Sequence, residues 1–182
     1  MSTLTNEKPA TMQDIYDLPE GQRAELIDGR LYMMAPPKRI HQKIIGKLYR
    51  IIDNYIEDNN LPCETYIAPF GVWLFGDDST LVEPDISVIC DSSKLDDEGC
   101  KGAPDFIIEI LSPSNKYHDC VRKLKLYCDA GVREYWIVNT EKRWVRKHVF
   151  SPEYTDEQYS FDEDVCAEIH IDFSVNLGKA GL

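Results

Sequence analysis

The chain has 182 residues, 43% hydrophobic and 29% charged, and its 32 acidic against 20 basic side chains leave a formal net charge of −12. That length can bury a core without staples, no apolar run approaches the roughly 18 residues of a membrane span, and the charge argues against coating nucleic acid by bulk attraction. The cysteines Cys63, Cys90, Cys100, Cys120, Cys128 and Cys166 form no CxxC pair and no metal spacing, so they read as reduced thiols acting as small hydrophobes. From reduced thiols, and with no basic-then-apolar leader in MSTLTNEKPATMQD, a cytoplasmic location follows as an expectation.

Residues 1–10 read as a flexible tail and 11–182 as one domain. Thr11, with Asp14 three residues on, predicts the cap of a short helix ending near Pro19. AELIDGRLYMMA predicts a hairpin turning at Asp28-Gly29, where Asp28 serves turn chemistry. Beyond Pro36-Pro37, Ile40, Ile44, Ile45, Leu48, Ile51, Ile52, Tyr55 and Ile56 recur at helical spacing. CETYIA, FGVWLF, PDISVIC and DFIIEIL predict strands, with DDSTLVE and SSKLDDEGCKGA as connections. A second helix is expected from about Asn115 to Ala130, stopped by Gly131. REYWIVN and RWVRKHVF follow as strands, with Tyr135 and Trp136 in the core, and QYSF and CAEIHIDF as edge strands. The expected class is α+β, a central mixed sheet flanked by helices.

Glu109 interrupts Phe106, Ile107, Ile108, Ile110 and Leu111, where an unpaired ionised acid costs several kcal/mol or neutralises. Either a basic side chain compensates it or a metal ion does. Asp85 stands at the mouth of the preceding strand, and strands joined by a loop usually pair. Two acids side by side repel unless a cation lies between them, and Mg²⁺ typically takes one or two carboxylates plus waters at about 2.1 Å. On the following helix Tyr117, Val121, Leu124 and Cys128 form an apolar seam, while Arg122, Lys125 and Asp129 share the wet side. Lys123 falls elsewhere: an inward compensating or catalytic charge, or a snorkelling partner of Asp119. Lys38 to Arg50 holds five basic residues and no acid, a candidate basic surface or simply a solvated face.

The ordered set resembles the PD-(D/E)XK nuclease superfamily and, within it, a bacterial restriction-endonuclease-like family. It comprises ELIDG, the histidine of PPKRIHQKI, VEPDISVI, IIEILSPSN, then Asp119, Lys123 and Tyr127 at D-x-x-x-K-x-x-x-Y, and AGVREYWIVN. The resemblance implies a restriction-endonuclease-like fold and a metal-dependent phosphodiesterase acting on DNA. Asp85, Glu109 and the carbonyl of Ile110 would hold Mg²⁺, with Mn²⁺ as substitute, and Glu25 would add an acid. Lys123 would orient the attacking water in place of the usual lysine two residues after the glutamate, where this chain has Leu111. His41 would assist as a proton carrier or supporting group. Lys38, Arg39 and Lys43, with Asp119 and Tyr127, would contact substrate, and Lys47, Lys116 and Arg122 are further basic candidates. A homodimer is expected, as the superfamily often forms. The competing reading is a catalytically silent protein that binds nucleic acid or a partner; a third is phosphoester chemistry on a small molecule.

Overall fold

The computed structural model describes residues 8–111, 117–169 and 173–181, and of 117–119 only the backbone. Thr11 caps α1 (Met12–Tyr16): its amide and hydroxyl both donate to Asp14 Oδ2, at 2.7 and 2.9 Å. Strands β1 (Ala24–Ile27) and β2 (Arg30–Met33) pair antiparallel, with Glu25 opposite Tyr32. Their turn holds Asp28 at φ 50° and Gly29 at φ 68°, the left-handed pair a primed hairpin turn requires. Helix α2 (Arg39–Asp58) buries Ile44, Ile45, Leu48, Ile52 and Ile56 of the stripe expected from its period, with Ile51 and Tyr55 half-buried beside them and Ile40, in the first turn, exposed.

The strands β3 (Glu64–Ile67), β4 (Gly71–Trp73), β5 (Leu81–Val82), β6 (Ile86–Ile89), β7 (Gly99–Lys101) and β8 (Phe106–Leu111) follow. Helix α3 (Tyr117–Ala130) comes next, then β9 (Glu134–Asn139), β10 (Trp144–Val149), β11 (Thr155–Ser160), β12 (Val165–Cys166) and β13 (Ser174–Val175). One six-stranded sheet runs β11-β10-β9-β8-β6-β3; a five-stranded sheet runs β2-β1-β5-β4-β7; β12 and β13 pair separately. In the larger sheet β8 and β9 are parallel, because α3 carries the chain back between them; the other pairs are antiparallel.

Alternation along β8 divides the core. Phe106, Ile108 and Ile110 face α2 with Ile86 and Val88 of β6. Ile107 and Leu111 face the other way, with Ile89, against Ile27 of β1, Val72 and Leu74 near β4, and Cys120 and Tyr127 of α3. Glu109 shares this second face by parity. The β6–β8 register pairs Ile86 with Ile108; carried one residue further, it sets Asp85 beside Glu109 on that face.

Several expectations need correction. The segments DDSTLVE and SSKLDDEGCKGA, read as connections, contain β5 and β7, strands of two and three residues that knit the smaller sheet. CAEIHIDF supplies only the two strand residues of β12, and residues 170–172 lie outside the described ones. The expected start of the second helix near Asn115 also lies outside them. Not all cysteines are reduced: Cys63 and Cys90 form a disulfide at the far end of the β3–β6 ladder, one register step beyond Glu64–Ile89. The cytoplasmic expectation loses the support it took from six free thiols, since such bonds are rare in reducing compartments. No helix among the described residues is long and apolar enough to cross a membrane.

Candidate active site

Glu109 is 5% exposed, in the middle of a strand buried along its whole length. Its compensating charge is Lys123, equally buried, whose Nζ donates to Glu109 Oε1 at 2.8 Å and to Glu25 Oε1 at 2.7 Å. Tyr127, one turn on along α3, donates its hydroxyl to the same Glu109 oxygen at 2.8 Å. Three elements therefore meet at one ammonium group: β1 through Glu25, β8 through Glu109 and α3 itself. Breaking such a pair from one side leaves an uncompensated buried charge, at a cost of about 3–5 kcal/mol.

The same contacts set the protonation chemistry. Burial pushes the Glu109 carboxyl up to about 7; the Lys123 ammonium opposes this, and the charges of Asp85 and Glu25 add to it. Burial would lower the Lys123 ammonium, but Glu109 and Glu25 outweigh it and hold it well above its ordinary value. Lys123 is a fixed positive charge.

Asp85 completes the group from the mouth of β6. Its Oδ2 accepts the Ile110 amide at 2.7 Å and lies 3.0 Å from His41 Nε2, which arrives from the first turn of α2. Burial would lower the His41 imidazole, but the adjoining Asp85 carboxylate, aided by Glu109 and the Ile110 carbonyl, raises it. Glu83 lies two residues ahead of Asp85. Its amide donates to Glu25 Oε1 at 3.1 Å, and its own carboxylate pairs with Arg23 at 3.2 Å.

These side chains line a cleft of about 390 Å³: Glu25, His41, Glu83, Asp85, Glu109 and Lys123 are all on its wall. Its remaining lining comes largely from Met33 at the end of β2, from residues 34–37 that join it to α2, and from Ala68 and Pro69. Among the described residues no three His, Cys, Asp or Glu side chains gather into a metal cage. A hydrated hard cation asks for less: one or two carboxylate oxygens, with waters for the rest. The hydrogen bonds fall on Asp85 Oδ2 and Glu109 Oε1, so each carboxylate keeps an oxygen they do not use. This all-oxygen donor set fits Mg²⁺ or Mn²⁺.

Of the residues singled out in the sequence, the structure gathers Glu25, His41, Asp85, Glu109 and Lys123 around one cleft. Tyr127 is fully buried and bonds Glu109, so it positions the acid instead of meeting substrate. Lys38, Arg39 and Lys43 do not line the cleft. Lys43 Nζ donates to the Gly181 carbonyl at 3.2 Å, and Lys47 donates to the carbonyls of Ala180 and Gly181. Arg122 lies over the Tyr32 ring at 3.6 Å, beside the cleft wall. The Asp119 side chain and Lys116 lie outside the described residues. Sequence reasoning passed over the Arg23–Glu83 pair, although Glu83 stands inside the VEPD motif, and over the Met33–Pro37 rim, which reads as a linker.

Known proteins bear on this geometry. A 24% identical stretch of 120 residues, 65% of this chain, matches an uncharacterized protein, slr1290, of Synechocystis sp. (strain ATCC 27184 / PCC 6803 / Kazusa). The match spans 62% of that relative's length. In fold, the chain is similar to a crystal structure described as a putative nuclease belonging to DUF820 from Anabaena variabilis ATCC 29413. The TM-score is 0.76 at 20% identity, covering 94% of this chain and 97% of that one, so the two chains share the same α+β fold. The Uma2 family model, described as "Putative restriction endonuclease", matches residues 12–176. The chain belongs to this family, a PD-(D/E)XK-like nuclease family.

Proposed function

We propose that this protein is a metal-dependent endonuclease that hydrolyses phosphodiester bonds in DNA. The observation that carries the reading is the juxtaposition in one cleft of Asp85 and Glu109, on neighbouring strands, with the buried ammonium of Lys123 bonded to Glu109. Asp85, Glu109 and the Ile110 carbonyl would hold Mg²⁺ or Mn²⁺. Bound there, the ion supplies charge neutralisation at the phosphate and a water of lowered pKa.

The chain's own residues supply the rest. Lys123 holds the attacking water and offsets charge as it builds on the phosphate oxygens. Glu25 and Tyr127 fix the positions of Lys123 and Glu109 through their hydrogen bonds. His41 holds the Asp85 carboxylate in its rotamer. The water oxygen bonds to phosphorus and gives up a proton to solvent, the ester P–O bond breaks, and the leaving oxygen takes a proton back from solvent. Leu111, where the superfamily usually has its lysine, is the feature that favours the silent binding protein. The contact of Lys123 with Glu109 supports turnover instead. The same reading carries the expectation of a homodimer, which light scattering measures.

The test uses circular DNA, as supercoiled plasmid and as a single-stranded circle, with Mg²⁺ or Mn²⁺. Wild type should cut at least one circle, and Asp85→Asn and Lys123→Ala, checked for folding by melting, should lose about 100-fold or more. Equal cutting by all three proteins, or none by wild type on either circle, overturns the reading.

A further inference from the structure

Arg23 directly precedes β1 and stands two residues from Glu25, so alternation sends both side chains to one face, roughly 7 Å apart along the chain. The Arg23 carbonyl accepts the Met34 amide at 2.8 Å, one step beyond the Ala24–Met33 pair, which fixes its backbone at the open end of the hairpin. Glu25 turns to the Lys123 ammonium. Arg23 lines the same cleft with its side chain 34% exposed.

The cations near the cleft differ in what already holds them. Lys123 is 6% exposed and donates to both Glu109 and Glu25, and His41 Nε2 lies against Asp85. Lys38 and Arg39 are exposed but are not part of the wall. Of the carboxylates on the wall, Asp85 and Glu109 face the ion in the nuclease reading, Glu25 is bonded to Lys123, and Glu83 stands against Arg23. That last contact is incomplete. Arg23 Nη1 lies 3.2 Å from Glu83 Oε2, yet this oxygen is buried with no hydrogen-bond partner among the described residues. The two charges touch without spending a guanidinium N–H on the bond. An ion pair that solvent reaches also adds little to a fold, so stability is a poor reason for an arginine here.

A phosphate is a better one. A guanidinium is permanently charged, weakly hydrated, and carries five N–H donors in a planar fork that matches phosphate oxygens. We infer that Arg23 is a substrate-binding residue: its fork takes the non-bridging oxygens of a phosphate of the bound DNA, with Glu83 steadying the guanidinium from the side. This rests on the nuclease reading and names the residue of the same site that grips substrate.

The experiment measures kcat and KM on whichever circular DNA wild type cuts, over a salt series, with melting temperature as the check on folding. Arg23→Gln should raise KM about tenfold while kcat stays within about threefold of wild type, the signature of lost binding. The log–log salt slope of kcat/KM should shrink in magnitude by about 0.7–0.9, as for one phosphate contact. Arg23→Lys keeps the charge without the fork, so the slope should hold while KM rises severalfold. Arg23→Gln combined with Glu83→Gln separates gripping from neutralising: its KM should stay severalfold above wild type, because removing the acid restores no phosphate contact. A double variant returned to the wild-type KM would make Arg23 merely the counter-ion of Glu83. That result, or an unaltered KM and slope in Arg23→Gln, overturns the inference and leaves the nuclease reading standing. No cutting of either circle by wild type overturns both.

Discussion

Lys123 is the residue on which the carboxylates of Glu25 and Glu109 converge, so its removal has a calculable consequence. In Lys123→Met, Glu109 and Glu25 face one another in a buried site without their shared cation, and unfolding free energy should fall by about 3–5 kcal/mol in urea titration. A loss under 1 kcal/mol would mean that neither acid is charged in the folded protein. Helical phase singled this residue out, because it stood apart from the wet face of Arg122, Lys125 and Asp129. The seam expected through Val121 and Cys128 is nevertheless exposed, and the buried face of α3 is Cys120, Lys123 and Tyr127. The same phase argument, applied to α2, would have removed Lys43: two residues from His41 is about 200° around the helix, away from the cleft. Arg23 and Glu83 were illegible for another reason, since an ion pair between separate segments leaves no periodic trace in either. Burial holds the His148 imidazole below its ordinary value, with Asp156 opposing and Arg146 adding. As pH falls below about 6.5, the unfolded chain takes up the proton first, so stability is present above that pH and lost as pH falls through the folded value. Comparing denaturation at about pH 5 and about pH 7.5, wild type should lose more stability than His148→Gln; identical losses would refute the assignment.

Elements were legible in proportion to their length and to the chemistry at their ends. The stripe on α2 spans twenty residues and could hardly be misread. The β1–β2 hairpin was marked by Asp28-Gly29, and the structure gives Gly29 two reasons to be glycine: its φ of 68°, and a would-be Cβ only 2.8 Å from Pro9 Cβ. Gly29→Ala should therefore lower stability by about 1–2 kcal/mol, whereas Gly46→Ala, with φ in the helical range and open space around it, should be neutral or stabilising. Thermal melts of the two variants decide it, and equal shifts would deny the turn its constraint. By contrast β5 and β7, with two and three residues, are too short to alternate; they are strands because β4 offers both its edges, which only the folded chain reveals. β1 owes its usefulness to this small sheet: pairing with β2 and β5 is what holds Glu25 over the face of β8 where Glu109 emerges.

At the scale of the whole molecule the feature that sequence spacing could not disclose is the covalent link between Cys63 and Cys90. Twenty-seven residues separate them, spanning β3 through β6, so no local motif announces the pair; only the antiparallel register brings them opposite one another. A crosslink closing a loop of that length restricts the unfolded chain, which should stabilise the fold by about 2–4 kcal/mol. It ties the end of the β3–β6 ladder away from Asp85, while Asp85 itself is held by the Ile110 amide and His41, contacts that do not run through the sulfurs. Reduction should accordingly lower the melting temperature of wild type without abolishing the fold, and the Cys63→Ala, Cys90→Ala double variant should melt at the reduced value whether or not reductant is present. Free Cys100, Cys120, Cys128 and Cys166 remain in that variant, so any reductant sensitivity surviving there would trace the effect to them and refute the role assigned to the bridge.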